Sequence, residues 1–207
     1  MKAEEKQWVI IGLGNPGKRY IHTRHNMGYL VVQSLAEQEG WKFKEESSFH
    51  AELAKGKMGD RTVHLLLPLT YMNLSGQTAK AYLDFFKLSP SNLIVIHDEF
   101  ALSFGQFRLR MNGGAGGHNG LKSLAAYLQT PEFVRLRIGI GNEKGAQTLA
   151  DYVLDLFSAE ERLKLPSVIE QGVQIVRRLV SEEIPAVMNS INAKPKAVLG
   201  KDETNCI

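Results

Sequence analysis

Apolar and polar positions along this chain follow two rhythms. Trp8-Val9-Ile10-Ile11 is an unbroken apolar run of the kind that a strand buried on both faces requires, and it predicts a strand over 8–14. Residues 27–39 change to helical spacing, with Met27, Leu30, Val31, Leu35 and Ala36 on one stripe. The segments 50–58 and 61–67 flank Gly59-Asp60 and predict a hairpin. A helix follows over 73–87, with Ala79, Tyr82, Leu83 and Phe86 on one face, and then strands over 93–97 and 105–111. Beyond these come a helix at 119–129, a strand at 134–140, a short helical segment near 147–153 and a longer helix at 159–180. Pro185 starts a last helical stretch over 186–191. Alternation of this kind predicts an α/β fold: a single domain with a mixed, mostly parallel twisted sheet flanked by helices. No repeat or linker divides the chain. The domain is expected over 1–192, with 193–207 as a polar, flexible C-terminal tail.

Composition narrows the class without naming a function. The chain has 207 residues, 43% of them hydrophobic and 23% charged, which suits a globular domain with a substantial core. Apolar runs such as 93–96 are too short to cross a bilayer. Residues 1–7 lack the apolar stretch of a secretory signal and carry acids that a transit peptide avoids. The single cysteine, Cys206, excludes an internal disulfide and argues against a cysteine nucleophile, so a reducing, cytoplasmic compartment is expected. The net charge of +3 is mild, and its distribution says more. Lys18, Arg19 and Arg24 flank one loop, while Arg108 with Arg110 and Arg135 with Arg137 sit at strand spacing, each pair on one face. Such pairs fit a solvated sheet edge as well as a phosphate-binding patch.

The loop after the first strand begins like a dinucleotide-binding fingerprint, Gly12-x-Gly14-x-x-Gly17, and then departs from it. A phosphate cradle leads straight into a helix, whereas Pro16 removes a donor and a mostly polar stretch from Lys18 to Asn26 intervenes. These glycines are therefore expected to shape a loop that presents Asn15, Tyr20, His25 and Asn26. A nicotinamide enzyme would also need an acid ending the second strand, and the nearest acids, Glu37 and Glu39, fall in the predicted helix.

His25 and Asp98 form the strongest candidate pair. A neutral imidazole can take a proton from water while a carboxylate on its other nitrogen fixes the tautomer and stabilises the imidazolium. An acid closing a buried strand needs such a partner. With no Gly-x-Ser-x-Gly elbow in the chain, water is the expected nucleophile. Asn15, Asn73 and Asn119 can donate and accept, which suits an oxyanion or a placed water. Each has a plainer reading, Asn15 as a turn residue and the other two as helix N-caps. A second glycine-rich segment, 113–120, surrounds Gly117, His118 and Asn119 and could cradle a phosphate or carbonyl. Metal binding through His22, His25 and His97-Asp98-Glu99 is disfavoured, because adjacent strand residues point to opposite faces.

Assembled, these residues resemble the bacterial-type peptidyl-tRNA hydrolase family. The matching blocks are GLGNPG (12–17), Tyr20, TRHNMG (23–28), YMNLSG (71–76), HDE (97–99), GGHNGLKS (116–123), RLRIGIG (135–141) and DYVLDLFS (151–158). The resemblance implies a cofactor-free and metal-free monomeric enzyme that cleaves the ester joining a peptide to the 3′ end of tRNA. It implies that His25 is the base that activates water, that Asp98 holds it, and that Asn15 distinguishes N-blocked from free aminoacyl groups. Asn73 and Asn119 would bind substrate and place water. Tyr20, Tyr71 and Met72, with Gly117 and His118, would line the groove, and Arg110 and Arg137 would contact phosphate. Ala101, Ser103, Asn112 and Ala115 depart from the family's usual pattern and bear on loop shape. A non-enzymatic RNA-binding relative of the same fold is the alternative.

Overall fold

The computed structural model describes residues 6–141 and 148–193. Strand β1 (Gln7–Gly12) lies inside a seven-stranded sheet. It pairs in parallel with β4 (Arg61–Pro68) on one side and β5 (Leu93–Glu99) on the other, with Ile10 opposite Leu65 and Ile94. β5 continues the parallel set to β7 (Val134–Gly139). Antiparallel strands close both sides: β3 (Ala51–Met58) and β2 (Lys44–Glu46) beyond β4, and β6 (Phe107–Arg110) beyond β7. The order is β2-β3-β4-β1-β5-β7-β6, the mixed, mostly parallel sheet expected.

Helices cover both faces, which explains why β1 is apolar throughout. Its Val9 and Ile11 pack with Tyr82 and Leu83 of α2 (Ser75–Phe86) and Leu121 and Leu124 of α3 (Asn119–Leu128). Trp8 and Ile10 join the opposite core, with Val31 and Leu35 of α1 (Met27–Gln38) and Val173 and Val176 of α5 (Ala159–Ser181). The short helix α4 (Leu149–Leu154) and α6 (Ile184–Asn192) complete the elements. Among the described residues no helix is long and apolar enough to cross a membrane.

Two expectations change. Lys44-Glu45-Glu46 forms an edge strand that the polar pattern did not announce, because all three residues are exposed and only pairing with β3 defines them. The strand expected at 105–111 is shorter, since Gly105 turns at φ 76° before β6. The expected tail at 194–207 and the start of the 147–153 segment lie outside the described residues.

Candidate active site

The C-terminal ends of β1, β4 and β5 open on one side of the sheet, and the loops that leave them meet the N-terminus of α3 there. This is the crevice where open α/β sheets bind ligands. The loop after β1 is packed for close approach rather than for phosphate. A Cβ on Gly12 would fall 2.5 Å from the Gly28 carbonyl oxygen, and one on Gly14 would fall 2.5 Å from the Tyr29 ring. The start of α1 therefore presses on this loop and carries His25, in the 3₁₀ turn just before it, over the end of β5.

His25 Nδ1 lies 2.9 and 3.0 Å from the two carboxylate oxygens of Asp98, a residue 73 positions away in the chain and only 3% exposed. The bond commits the Nδ1 proton to the carboxylate and leaves Nε2 to the cleft. A second histidine shares the acid: His118 Nε2 is 3.0 Å from Asp98 Oδ1, with the two imidazole rings 4.9 Å apart. Gly120 N–H donates to His118 Nδ1 at 3.1 Å, so the proton of that ring sits on Nε2 and points at Asp98. His118 is also the N-cap of α3. The N-cap roles offered for Asn73 and Asn119 are therefore not theirs. Leu74 caps α2, and neither asparagine side chain makes a hydrogen bond among the described residues.

Burial favours the neutral form of His25, but the charge and hydrogen bond of Asp98 outweigh it, so the pKa is raised above the ordinary 6.5. Burial would raise the Asp98 carboxyl, yet the two neighbouring imidazoles and their hydrogen bonds hold it far below the usual carboxylate range. Behind them His97, edge-on to His118 at 4.9 Å, is pushed down to about 3 by burial and stays neutral.

Asn15 is fixed from both ends. Its backbone N–H donates to Asn26 Oδ1 at 2.9 Å and its carbonyl accepts from Asn26 Nδ2 at 3.0 Å. Its own Oδ1 accepts the Met72 N–H at 2.9 Å, which ties the first loop to the one after β4 and leaves the Asn15 amide nitrogen to the cleft. Asn26 is thus a brace whose function was not legible from its position in the motif.

These side chains line a cleft of about 540 Å³ that also takes in Tyr20, Tyr71, Met72, Asn73, Gly117 and Asn119. Every residue expected at the site lies there except Arg110, Arg137 and Asn26, which the loop was expected to present and which is buried against the Asn15 backbone instead. The two arginines border a neighbouring hollow of about 320 Å³, which shares Glu99 and Gly116 with the cleft. Arg135 and Arg137 share one hollow, as strand spacing on one face predicts, but their partners differ. Arg135 is buried, donates to the Gly114 and Pro131 carbonyls at 2.8 and 2.9 Å, and braces the glycine-rich segment. Arg137 is held by Glu99 at 2.7 Å, while Arg110 is exposed. Part of the cleft's lining is apolar and was not foreseen: Leu149, Ala150, Val153 and Leu154 of α4, with Phe100.

A carboxylate-held imidazole beside amides free to bind substrate, at the strand ends of an α/β sheet, is the equipment of a hydrolase. The family model described as peptidyl-tRNA hydrolase matches residues 9–198. A peptidyl-tRNA hydrolase from Chloroflexus aggregans is 46% identical over 89% of this chain and 98% of its own length. One from Mycobacterium marinum is 43% identical over 89% of this chain and 97% of its own. The crystal structure of peptidyl-tRNA hydrolase from Acinetobacter baumannii superposes with a TM-score of 0.85 at 37% identity, covering 92% of this chain and 97% of that one. The chain belongs to the peptidyl-tRNA hydrolase family, whose members are carboxylic ester hydrolases.

Proposed function

We propose that His25 is the general base with which this chain hydrolyses the ester between a peptide and the 3′ end of tRNA. The observation that carries the reading is the Asp98 bond at His25 Nδ1, which leaves Nε2 unprotonated and turned to the cleft. Nε2 takes a proton from water as the oxygen attacks the ester carbonyl carbon, and Asp98 stabilises the imidazolium. Collapse of the tetrahedral intermediate breaks the acyl–oxygen bond. The imidazolium returns its proton to the departing ribose oxygen, giving a peptide carboxylic acid and free tRNA.

Asn73 and Asn119, whose side chains make no hydrogen bond among the described residues, bind substrate, place the water and donate to the developing oxyanion. Asn15 offers an amide N–H that can donate to the carbonyl of an N-blocked group. A free α-ammonium has no acceptor to offer there, so Asn15 favours peptidyl over aminoacyl esters. Tyr20, Tyr71, Met72 and Gly117 form the groove around the ester, and Arg110 and Arg137 face tRNA phosphate from the adjoining hollow. His25, Asp98 and His118 could in geometry surround a cation, since their ligand atoms lie within 4.8 Å of one another. The Gly120 N–H on His118 Nδ1 places that ring's proton on the nitrogen a metal would need, which supports a hydrogen-bonded rather than a metal-binding set.

The test is hydrolysis of N-acetyl-aminoacyl-tRNA against free aminoacyl-tRNA. Cleavage of the first alone is expected, with His25→Ala slower by about 10²–10⁴-fold. Full activity in that variant, or equal cleavage of both esters, overturns the reading.

A further inference from the structure

Arg24, the residue before His25, is 5% exposed although it belongs to a loop. Its Nε and Nη2 donate to Glu161 Oε1 and Oε2 at 3.1 and 2.8 Å, and Nη1 reaches the Tyr152 carbonyl at 3.3 Å. The guanidinium lies 4.3 Å above the Tyr152 ring. Glu161 also accepts the Ser158 N–H at 2.6 Å in the N-terminal cap of α5. The backbone joins in: Arg24 N–H donates to the Asp155 carbonyl at 3.1 Å, and Thr23 bridges to Leu156. Together these contacts bind the turn carrying His25 to α4 through Tyr152, to the segment after α4 through Asp155 and Leu156, and to the start of α5 through Glu161. A buried two-point guanidinium–carboxylate pair holds geometry in a way that an exposed one does not.

We propose that Arg24 is a positioning residue that, through Glu161 and Tyr152, sets α4 at its distance from His25, and that the α4 wall receives the side chains of the acyl group. This rests on the hydrolytic reading of the cleft. The tRNA backbone is a polyanion and belongs on the side of Arg110 and Arg137. That hollow shares Glu99 and Gly116 with the cleft and is lined by no residue of α4. The α4 wall, which lies outside that hollow, is left for the peptide. There Leu149, Ala150, Val153 and Leu154 present aliphatic surface without donors or acceptors, which accommodates apolar side chains and reads no particular one. Leu149 and Leu154 stay 44% and 42% exposed, surface that an apolar acyl group would cover.

The test compares N-acetylphenylalanyl-tRNA with N-acetylglycyl-tRNA in the wild type, in Arg24→Lys, which keeps the charge and loses the fork, and in Glu161→Gln. KM for the phenylalanyl ester is expected to rise about fivefold to tenfold in both variants, with its kcat and the glycyl KM within about twofold of wild type. Leu154→Ser, at a position 42% exposed whose side chain takes no part in the Arg24 hydrogen bonds, should reproduce the same change and decides the matter where the buried variants fail to fold. Equal loss on both esters in Arg24→Lys, or an unchanged KM ratio in Leu154→Ser, overturns the inference while leaving His25 in its role. A wild type that cleaves neither ester overturns the hydrolytic reading itself.

Discussion

Two glycine-rich segments bring a histidine each to the same carboxylate, and they use glycine in different proportions for two ends. Gly17 of the first also turns in open space at φ 101°, and a Cβ on Gly120 of the second would fall 2.6 Å from the Met72 sulfur. In the first, Gly12, Gly14 and Gly28 exist so that loop and helix can touch: added Cβ atoms would lie 2.3–2.5 Å from backbone or ring atoms. In the second, Gly113, Gly116 and Gly117 adopt φ of 132°, 57° and 86°, and a Cβ at Gly116 or Gly117 would meet nothing within 4 Å. The first arm is fixed by packing and presents the base. The second is fixed by backbone conformation, with Arg135 holding Gly114, and presents the cap of α3 together with Asn119. A glycine pattern alone therefore says little about what a loop holds, and the neighbours of each glycine decide it.

The most damaging way to break the comparison is to remove the point where the arms meet. Asp98→Asn takes away the charge that raises the His25 pKa and leaves the burial that lowers it. The acid limb of kcat/KM, expected above pH 6.5 in the wild type, should then move below 6.5, and kcat should fall about 10²–10⁴-fold. A pH–rate profile of the two proteins checks both the size and the sign. Next comes the packed arm: Gly12→Ala forces a methyl against the Gly28 carbonyl and should cost about 3 kcal/mol in urea unfolding. Gly117→Ala meets no atom and is penalised only by its positive φ, about 1 kcal/mol. Its larger consequence should be a raised KM, because Gly117 lines the cleft. Equal destabilisation by the two alanines would erase the distinction drawn between the arms.

Much of this arrangement could be read before any coordinates. The double-sided apolar run of β1, the helical stripe of α1 and the hairpin at Gly59 are local periodicities that tertiary structure reinforces. His25, Asp98, Asn15 and the two free asparagines were all nameable because loops at strand ends collect polar residues. What could not be read was direction. His118 was expected to face substrate, yet its ring turns back to Asp98, because Gly120 N–H and the carboxylate hold opposite nitrogens of the same imidazole. Arg135 and Arg137 looked equivalent at strand spacing, but one is spent on loop carbonyls and the other on Glu99. The α4 wall escaped notice because four aliphatic residues on a short helix look the same whether they meet a core or a ligand. Asp98, Gly114 and Glu99, which turn the His118, Arg135 and Arg137 side chains, lie 20 to 38 positions away from them, a separation that no local pattern encodes.

A shift in the pH profile, rather than in stability, tests what the second arm adds to the first. In the wild type His118 donates to Asp98 Oδ1, the oxygen nearest His25, and so takes up part of the acid's capacity to attract the Nδ1 proton of the base. His118→Ala removes that donor, and Asp98 then acts more strongly on His25 alone. The acid limb of kcat/KM should move to higher pH, opposite in sign to Asp98→Asn. Its plateau should drop about tenfold through loss of one hydrogen bond to a charged group. His118→Gln, whose amide can still donate to Asp98, should restore the limb toward its wild-type position. If His118 merely lined the groove, all three proteins would share one pH profile and differ only in KM, so the direction of the limb decides whether the second histidine acts through the acid or on the substrate.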